Sequence, residues 1–312
     1  MAGQPFPVDP VLTGIAIAFK NAEMIADQVL PRLEPKLTAE TFKYMVFGFD
    51  QQITIPDTKV GRKSEPNVME FGGTSVPGNT TDYGQDSVIP NADIAQAPAG
   101  YDPEAFAVQQ LTNIIELDRE KRVAAKVFDP NTYAAANREL LAGTSQWSHA
   151  DSKPANAITL ALDSMVMRAN VMVLGRKSWS SLRQNPSILR ALTVSGAGDG
   201  LADRRAVADL LELDDIVVGS GWANAAKPGQ AAQRYRLWGN HAALIRREKI
   251  VSSLGEVPTF GWTAQFGDRV AGSMDAPLVG LRGSRRVRAG ESVAEVISAP
   301  ELGYFFQNAV AA

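Results

Sequence analysis

The sequence predicts an α+β fold, with helices and strands concentrated in different stretches of the chain. Three observations lead there. Residues 102–128 make one unbroken helical run opening on Asp102-Pro103-Glu104. Residues 50–100 carry short β-prone pieces cut by Pro56, Pro66, Gly72, Gly73, Pro77, Gly78 and Pro90. From Ala155 short apolar strands alternate with helices, and β-like runs take over after Pro258. At 312 residues, 45% hydrophobic and 21% charged, the chain has material for one large domain or two smaller ones.

The first 35 residues mix helical spacing with breaks at Pro31 and Pro35, which predicts an arm with one helix near Asn21 to Leu30. Tyr44 to Phe49 reads as a strand. In the stretch that follows, Ile53 to Ile55 and Val68 to Phe71 are the β-prone pieces. Their apolar residues are too sparse to close a core, and an insertion this long is usually disordered or functional. It lacks the charge bias of a disordered tail. The remaining reading is an extended β-arm ordered by a neighbouring subunit.

Asp102 is a good N-cap, Pro103 suits the first helical position, and Glu104 suits the first turn. Nothing breaks the helix before Asp129-Pro130, so it is a rod of about 39 Å. Phe106, Leu111, Ile114, Ile115 and Leu117 give its first half an apolar face, and Val123, Ala124, Val127 and Phe128 do so at its end. Between them lie Glu116, Asp118, Arg119, Glu120, Lys121 and Arg122, with Asp118–Arg122 spaced i,i+4 and Glu116–Arg119 spaced i,i+3. A rod crossing between two packing environments would carry such a charged middle. So would a long surface helix with a solvated turn.

Beyond a polar connection, helices are expected at Ala157 to Ala169, Lys177 to Leu192 (interrupted at Pro186) and Asp203 to Leu211. Strands are expected at Val171 to Leu174, Ile216 to Gly219, Tyr235 to Trp238 and Ala242 to Ile245. The β-rich end offers Phe260 to Phe266, Val279 to Val287, Val293 to Ile297 and Gly303 to Phe306.

Composition removes several functions. A formal net charge of -3 provides no global basic field for nucleic acid. The absence of cysteine excludes disulfides, thiol nucleophiles and thiolate metal sites, and fits a reducing compartment. MAGQPFPVDP has no basic region before an apolar core, and no apolar run approaches a membrane span, so neither export nor membrane insertion is expected.

The local motifs do not assemble a catalytic centre. Leu174-Gly175-Arg176-Lys177-Ser178 follows a strand and opens a helix, but lacks the glycines with which a phosphate loop rings its ligand. Gly196, Gly198 and Gly200 follow a helix and not a strand, as a dinucleotide fingerprint requires. Gly219-Ser220-Gly221 is no nucleophile elbow, and no spacing joins Ser220 to His241. The two histidines, His149 and His241, lack an acidic cluster that would make a metal site. No catalytic, cofactor or metal residue is therefore expected. Arg282, Arg285, Arg286 and Arg288 could face packaged nucleic acid or an acidic neighbour, or form a polar strand face neutralised by solvent and local carboxylates.

LDREKRVAAKVF (117–128), VMVLGRKSWSSLRQNPSILRAL (171–192), RLWGNHAALI (236–245) and GYFFQNAV (303–310), in this order, resemble the major capsid proteins of tailed bacteriophages with the HK97-type fold. The resemblance spans nearly the whole chain. It implies an N-terminal arm at 1–43, an extended E-loop hairpin at 44–100, and a P-domain with its spine helix at 101–140. An A-domain would follow at 141–246, P-domain strands at 247–298, and a C-terminal strand at 299–312 that rejoins the A-domain.

The function so implied is a non-enzymatic shell protein of the virion. It would assemble in the bacterial host cytoplasm into pentamers and hexamers of an icosahedral shell enclosing double-stranded DNA, without sequence-specific contacts. The six charged residues of the spine are the candidate intersubunit ion pairs, and the four arginines the candidate DNA-facing strand. Relatives that begin with a scaffolding segment differ from this chain, which implies earlier processing or a separate scaffolding protein. A portal is a further expected partner, and a decoration protein another candidate. Relatives that crosslink do so through Lys–Asn bonds, yet no pair can be assigned among Lys59, Lys63 and Asn308. An encapsulin-like compartment is the alternative on the same fold; a soluble α/β hydrolase or nucleotide enzyme is the alternative of another class.

Overall fold

The computed structural model describes residues 6–47, 54–66, 68, 73–192, 200–227, 229–248 and 258–311. The chain begins with α1 (Pro10–Ala18), whose N-cap Asp9 accepts from the backbone N–H groups of Val11 and Leu12. A single turn, α2 (Ala26–Val29), follows. The helix expected near Asn21 to Leu30 is thus largely displaced to α1. Asp9-Pro10 carries the same cap-and-proline start signal as Asp102-Pro103.

β1 (Thr41–Phe47) pairs antiparallel with β2 (Gly73–Asn79), with Thr41 opposite Asn79 and Phe47 opposite Gly73. β3 (Thr81–Pro90) continues from it and is hydrogen-bonded to a strand near the C-terminus of the same chain. The expectation that the whole 50–100 stretch takes its order from a neighbour is therefore corrected. Its second half is ordered by backbone ladders within the chain. Thr54 and Ile55 are not in a strand, nor is Val68. Ile53, Met69 to Phe71, and Gly196 and Gly198 of the glycine-rich loop lie outside the described residues.

A short helix, α3 (Asn91–Ala95), leads to the spine, α4 (Pro103–Val127). Asp102 caps it by accepting from Glu104 and Ala105, and its 25 residues span about 37 Å. After it come β4 (Arg138–Leu140), α5 (Pro154–Ser164), β5 (Val171–Gly175), α6 (Arg176–Leu182) and α7 (Pro186–Leu192). The expected Ala157 to Ala169 helix ends early because Met165 turns extended. Pro186 splits the next one, as its missing N–H requires.

α8 (Arg204–Leu210), β6 (Asp215–Gly219), β7 (Trp222–Asn224), β8 (Arg234–Arg236) and β9 (Ala242–Ile245) complete the middle of the chain. β10 (Gly261–Ala276), β11 (Ser284–Ile297) and β12 (Gly303–Gln307) close it. Two expected strands change. Tyr235 to Trp238 shrinks because Trp238 leaves the ladder to plug the core. Val279 to Gly283, the first part of the strand expected to reach Val287, belongs to the turn of the long β10–β11 hairpin, where Gly280 and Gly283 take positive φ.

Two sheets organise the molecule. One runs β4-β12-β9-β5-β6, with β5 parallel to β6, β12 parallel to β4, and β9 antiparallel to its neighbours. Its central strands are apolar on both faces, as burial between two layers demands. Met172, Leu174, Ile216, Leu244 and Phe306 face one core with α5, α6 and α7. Val171, Val173, Val217, Ile245 and Phe305 face another, filled by Val123, Ala124 and Val127 from the end of the spine and by Ile25, Ala26, Val29 and Leu30 from the arm.

The other sheet runs β10-β11-β3. Against it lie α1 and the first half of the spine, through Leu12, Val108, Leu111, Ile115, Val287 and Ala289. The arm also seals the free edge of β10, the usual site of unwanted strand pairing. Asp9 N–H donates to Ala271 O at 3.0 Å, Leu33 N–H to Thr263 O at 2.9 Å, and Leu37 N–H to Gln265 O at 2.8 Å. The spine does cross between two packing environments, and its charges lie at the crossing.

Candidate functional site

The charged middle of the spine is buried, and its partners lie in the same chain. Glu116, Arg119 and Glu120 are all less than 9% exposed. Arg119 donates to Asp27 at 2.6 Å, and Asp27 also pairs with Arg32 at 3.0 Å. Arg32 reaches Glu291 at 2.9 Å, Glu291 meets Arg269 at 3.0 Å, and Arg269 closes on Glu116 at 2.8 Å. The result is an alternating chain of three carboxylates and three guanidiniums. It ties the arm (Asp27, Arg32) to the spine (Glu116, Arg119), β10 (Arg269) and β11 (Glu291).

Arg269 is aimed by the register break between Phe266 and Val270, where Gly267 has φ 64°. From there it also donates to the carbonyls of Ala16 and Phe19 at the end of α1. Burial raises the pKa of Glu291, but Arg32 and Arg269 outweigh it and hold the carboxyl below the usual glutamate range. Asp27, half exposed, shows the same balance: burial raises it, and Arg119 and Arg32 bring it below its ordinary value.

Glu120 sits apart from this chain of charges. Its carboxylate accepts from the N–H groups of Ile25 (2.9 Å) and Ala26 (2.7 Å) and from Trp238 Nε1 (2.5 Å). Burial pushes its pKa up, against the lowering by those donors and by Arg119. Trp238 in turn lies against the glycine pair that ends β5 and β6. A Cβ at Gly219 would stand 2.1 Å from its ring, so only glycine fits there.

The expected intersubunit ion pairs are corrected accordingly. Glu116, Arg119 and Glu120 hold the chain's own arm, and Arg122 meets Glu295 at 3.0 Å, Asp118 and the Tyr83 ring. The i,i+4 pair Asp118–Arg122 forms; Glu116 turns to Arg269 and not to Arg119. Lys121 is exposed, and the Asp118 side chain is half exposed.

Three of the four arginines of the candidate DNA-facing strand have carboxylate partners. Arg285 pairs with Glu104 at 3.1 Å, and Arg288 grips Asp86 through two bonds of 2.6 and 2.8 Å. Arg286 lies 3.7 Å from Asp86, whose pKa falls chiefly through its Arg288 hydrogen bond. Arg282 is exposed in the β10–β11 turn. Local neutralisation, one of the two readings left open, is what the geometry shows for Arg285, Arg286 and Arg288.

Ser220 and His241 occupy different settings. His241 packs against Phe128 and Phe305, accepts from Asn308 N–H at 2.9 Å, and has its pKa lowered by burial. Among the described residues no group of three or more His, Asp or Glu could hold a metal ion, and no helix is long and apolar enough to cross a membrane.

What the described surface does display is an extended, largely polar loop and an apolar turn. Residues 54 to 66 of the loop beyond β1 are exposed or half-exposed, with Ile55 at 93%. At the β10–β11 turn Leu278 and Leu281 are almost wholly exposed. An unshielded hairpin and an apolar turn at the ends of long ladders suit contact with further copies more than chemistry on a small substrate.

Comparison with known proteins agrees with that geometry. The family model described as phage major capsid protein E matches residues 101–224. The major capsid protein of Pseudomonas phage JBD67 is 47% identical over all 312 residues, covering 100% of both chains. Among solved structures, a phage-related protein from Bordetella bronchiseptica RB50 superposes with a TM-score of 0.75 at 22% identity, covering 99% of this chain and 100% of that one. The capsid structure of cyanophage P-SCSP1u gives a TM-score of 0.58 at 12% identity, covering 98% and 91%.

Arm, extended hairpin, spine helix and two-sheet body thus define a protein of the HK97-like fold class. The chain belongs to the phage major capsid proteins, a structural family and not an enzymatic one. It is a component of the virion shell, and the compartment and soluble-enzyme alternatives are not favoured.

Proposed function

We propose that this chain assembles through pentamers and hexamers into a closed icosahedral shell around packaged double-stranded DNA. The observation that carries this reading is the β1–β2 hairpin with its exposed 54–66 loop, set on a body whose cores are complete within one chain. Phe42 and Tyr44 seat the base of this hairpin on Trp262 while the 54–66 loop beyond it is left exposed, and many weak copies of one contact give a shell that corrects errors during growth.

The working division is an arm at 1–43, an E-loop at 44–100, P-domain segments at 101–140 and 247–298, an A-domain at 141–246 and a returning strand at 299–312. In this division β3 is both the last part of the E-loop and the edge of the P-domain sheet. A separate scaffolding protein, a portal and a decoration protein are the further partners of this reading, with assembly in the host cytoplasm. Asp118 and Lys121 are the spine residues left for contacts between subunits, and Arg282 is the basic side chain left to face DNA.

The test is to replace residues 54–66 by a short Gly-Ser linker, leaving β1, β2 and β3 intact. The expected product is a soluble, folded protein with a melting temperature near that of the parent and no closed particles by electron microscopy. Closed particles of normal size would overturn the assigned role of the loop.

A further inference from the structure

Three motifs that carry no chemistry in the shell reading meet around one cleft. Arg176 opens α6 directly after β5, Ser220 follows the end of β6, and Asp203-Arg204 starts α8. Together with Trp179, Arg183 and Val218 they line a polar cleft of about 320 Å³ at the carboxyl ends of the parallel pair β5 and β6. The arm closes its rim through Ala22 and Glu23. Open α/β sheets commonly hold ligands at such strand ends.

The charges in the cleft are unbalanced. Arg176, Arg183 and Arg204 face Glu23 and Asp203, an excess of one positive charge. Asp203 is already engaged as the cap of α8, accepting from Arg205 N–H at 3.0 Å. None of the three arginines forms an ion pair among the described residues, unlike Arg119, Arg122, Arg269 and Arg288. Arg183 lies 5.8 Å from the Trp179 ring centroid, and its Nε, shut off from water, has no hydrogen-bond partner. Three guanidiniums without ion pairs around one cleft call for an acceptor, and an oxyanion supplies it.

We propose that this cleft binds a phosphate group, held by Arg176, Arg183 and Arg204 with the Ser220 hydroxyl as a further donor. Guanidiniums arriving from two helices suit a tetrahedral anion with several acceptor oxygens better than a planar carboxylate. The cleft, at about 320 Å³, has ample room for a phosphate group. Because Glu23 and Ala22 form the rim, occupancy would also tie the arm to the body. The phosphate can come from the free ion or from a nucleic-acid backbone, and the proposal does not depend on the shell reading.

The experiment is calorimetric titration and thermal melting of the full chain in chloride buffer at fixed ionic strength. Inorganic phosphate, acetate and a short DNA duplex are the separate probes. Phosphate should bind and raise the melting temperature, while acetate should do neither. Arg176→Ala and Arg204→Ala change exposed side chains, so both should fold and each should weaken phosphate binding by about tenfold or more, as loss of one charge-assisted contact implies. Arg204→Lys should recover part of it.

If the duplex also binds and loses affinity in the same variants, the backbone is the source. If phosphate binding is lost while the duplex is unaffected, the source is the free ion. Phosphate binding no stronger than acetate binding, or variants that bind phosphate like the parent, would overturn the assignment.

Discussion

Glu120 connects three parts of the molecule through one carboxylate, and removing it has different consequences from neutralising it. Glu120→Ala would leave the Ile25 and Ala26 N–H groups and Trp238 Nε1 without an acceptor in a buried site. A loss of about 2–4 kcal/mol is expected, read from urea unfolding. Glu120→Gln keeps an acceptor and removes the charge, so it should lie between parent and alanine variant. Its pH dependence is the sharper readout. The folded-state pKa of Glu120 is raised, so its contribution is fully present below the unfolded value of about 4.3 and is lost as pH rises through the folded value. The disadvantage of Glu120→Gln should therefore shrink on going upward from about pH 4.3. Asp27 and Glu291 act in the opposite direction: their pKa values are lowered, so their stabilisation holds above the ordinary carboxylate range and fades as pH falls below it. A Glu120→Gln disadvantage that stays constant with pH would remove this account of the carboxylate.

Elements were legible where their ends are written locally. The spine follows from Asp102-Pro103-Glu104 and from Asp129-Pro130, and both ends fall within a residue of expectation. The same Asp-Pro pair opens α1 at Asp9-Pro10, a signal hidden among the prolines of the first ten residues. The buried ion network was not legible, because i,i+3 and i,i+4 spacing sees only one helix. The partners of Glu116 and Arg119 come from Arg269 and Asp27, 153 and 92 residues away in sequence. The glycines that end β5 and β6 match neither a phosphate loop nor a nucleophile elbow, and packing explains them. Gly219→Ala would drive a methyl into Trp238 and should lower stability by about 1–3 kcal/mol. Gly14, inside α1 with nothing within 4 Å of where a methyl would stand, is the contrast: Gly14→Ala should raise stability by about 0.5–1 kcal/mol. Thermal melts of the two variants, moving in opposite directions, separate close approach from mere flexibility.

For the whole molecule, the decisive distinction is between charges that fold the chain and charges that join chains. One stretch of helix holds the first kind and, in the function proposed above, the second. Arg119 is 2% exposed and ties the arm to the body, so Arg119→Ala should destabilise the isolated protein by about 1–3 kcal/mol, as loss of a buried, charged hydrogen-bond donor does while Asp27 keeps Arg32. Lys121 is exposed, two residues away on the same helix, and no ion pair of the folded chain uses it among the described residues. Lys121→Glu should leave unfolding of the isolated protein within about 0.5 kcal/mol of the parent. In the shell the same reversal is repeated at every copy, so even a weak contact is multiplied by the lattice. Closed particles should form in lower yield, with the deficit shrinking as added salt screens the reversed charge. Sedimentation of assembled against unassembled protein over a salt series is the measurement. If Lys121→Glu assembles like the parent at every ionic strength, the spine serves only to fold the chain, and contacts between subunits must rest on the hairpin and the β10–β11 turn.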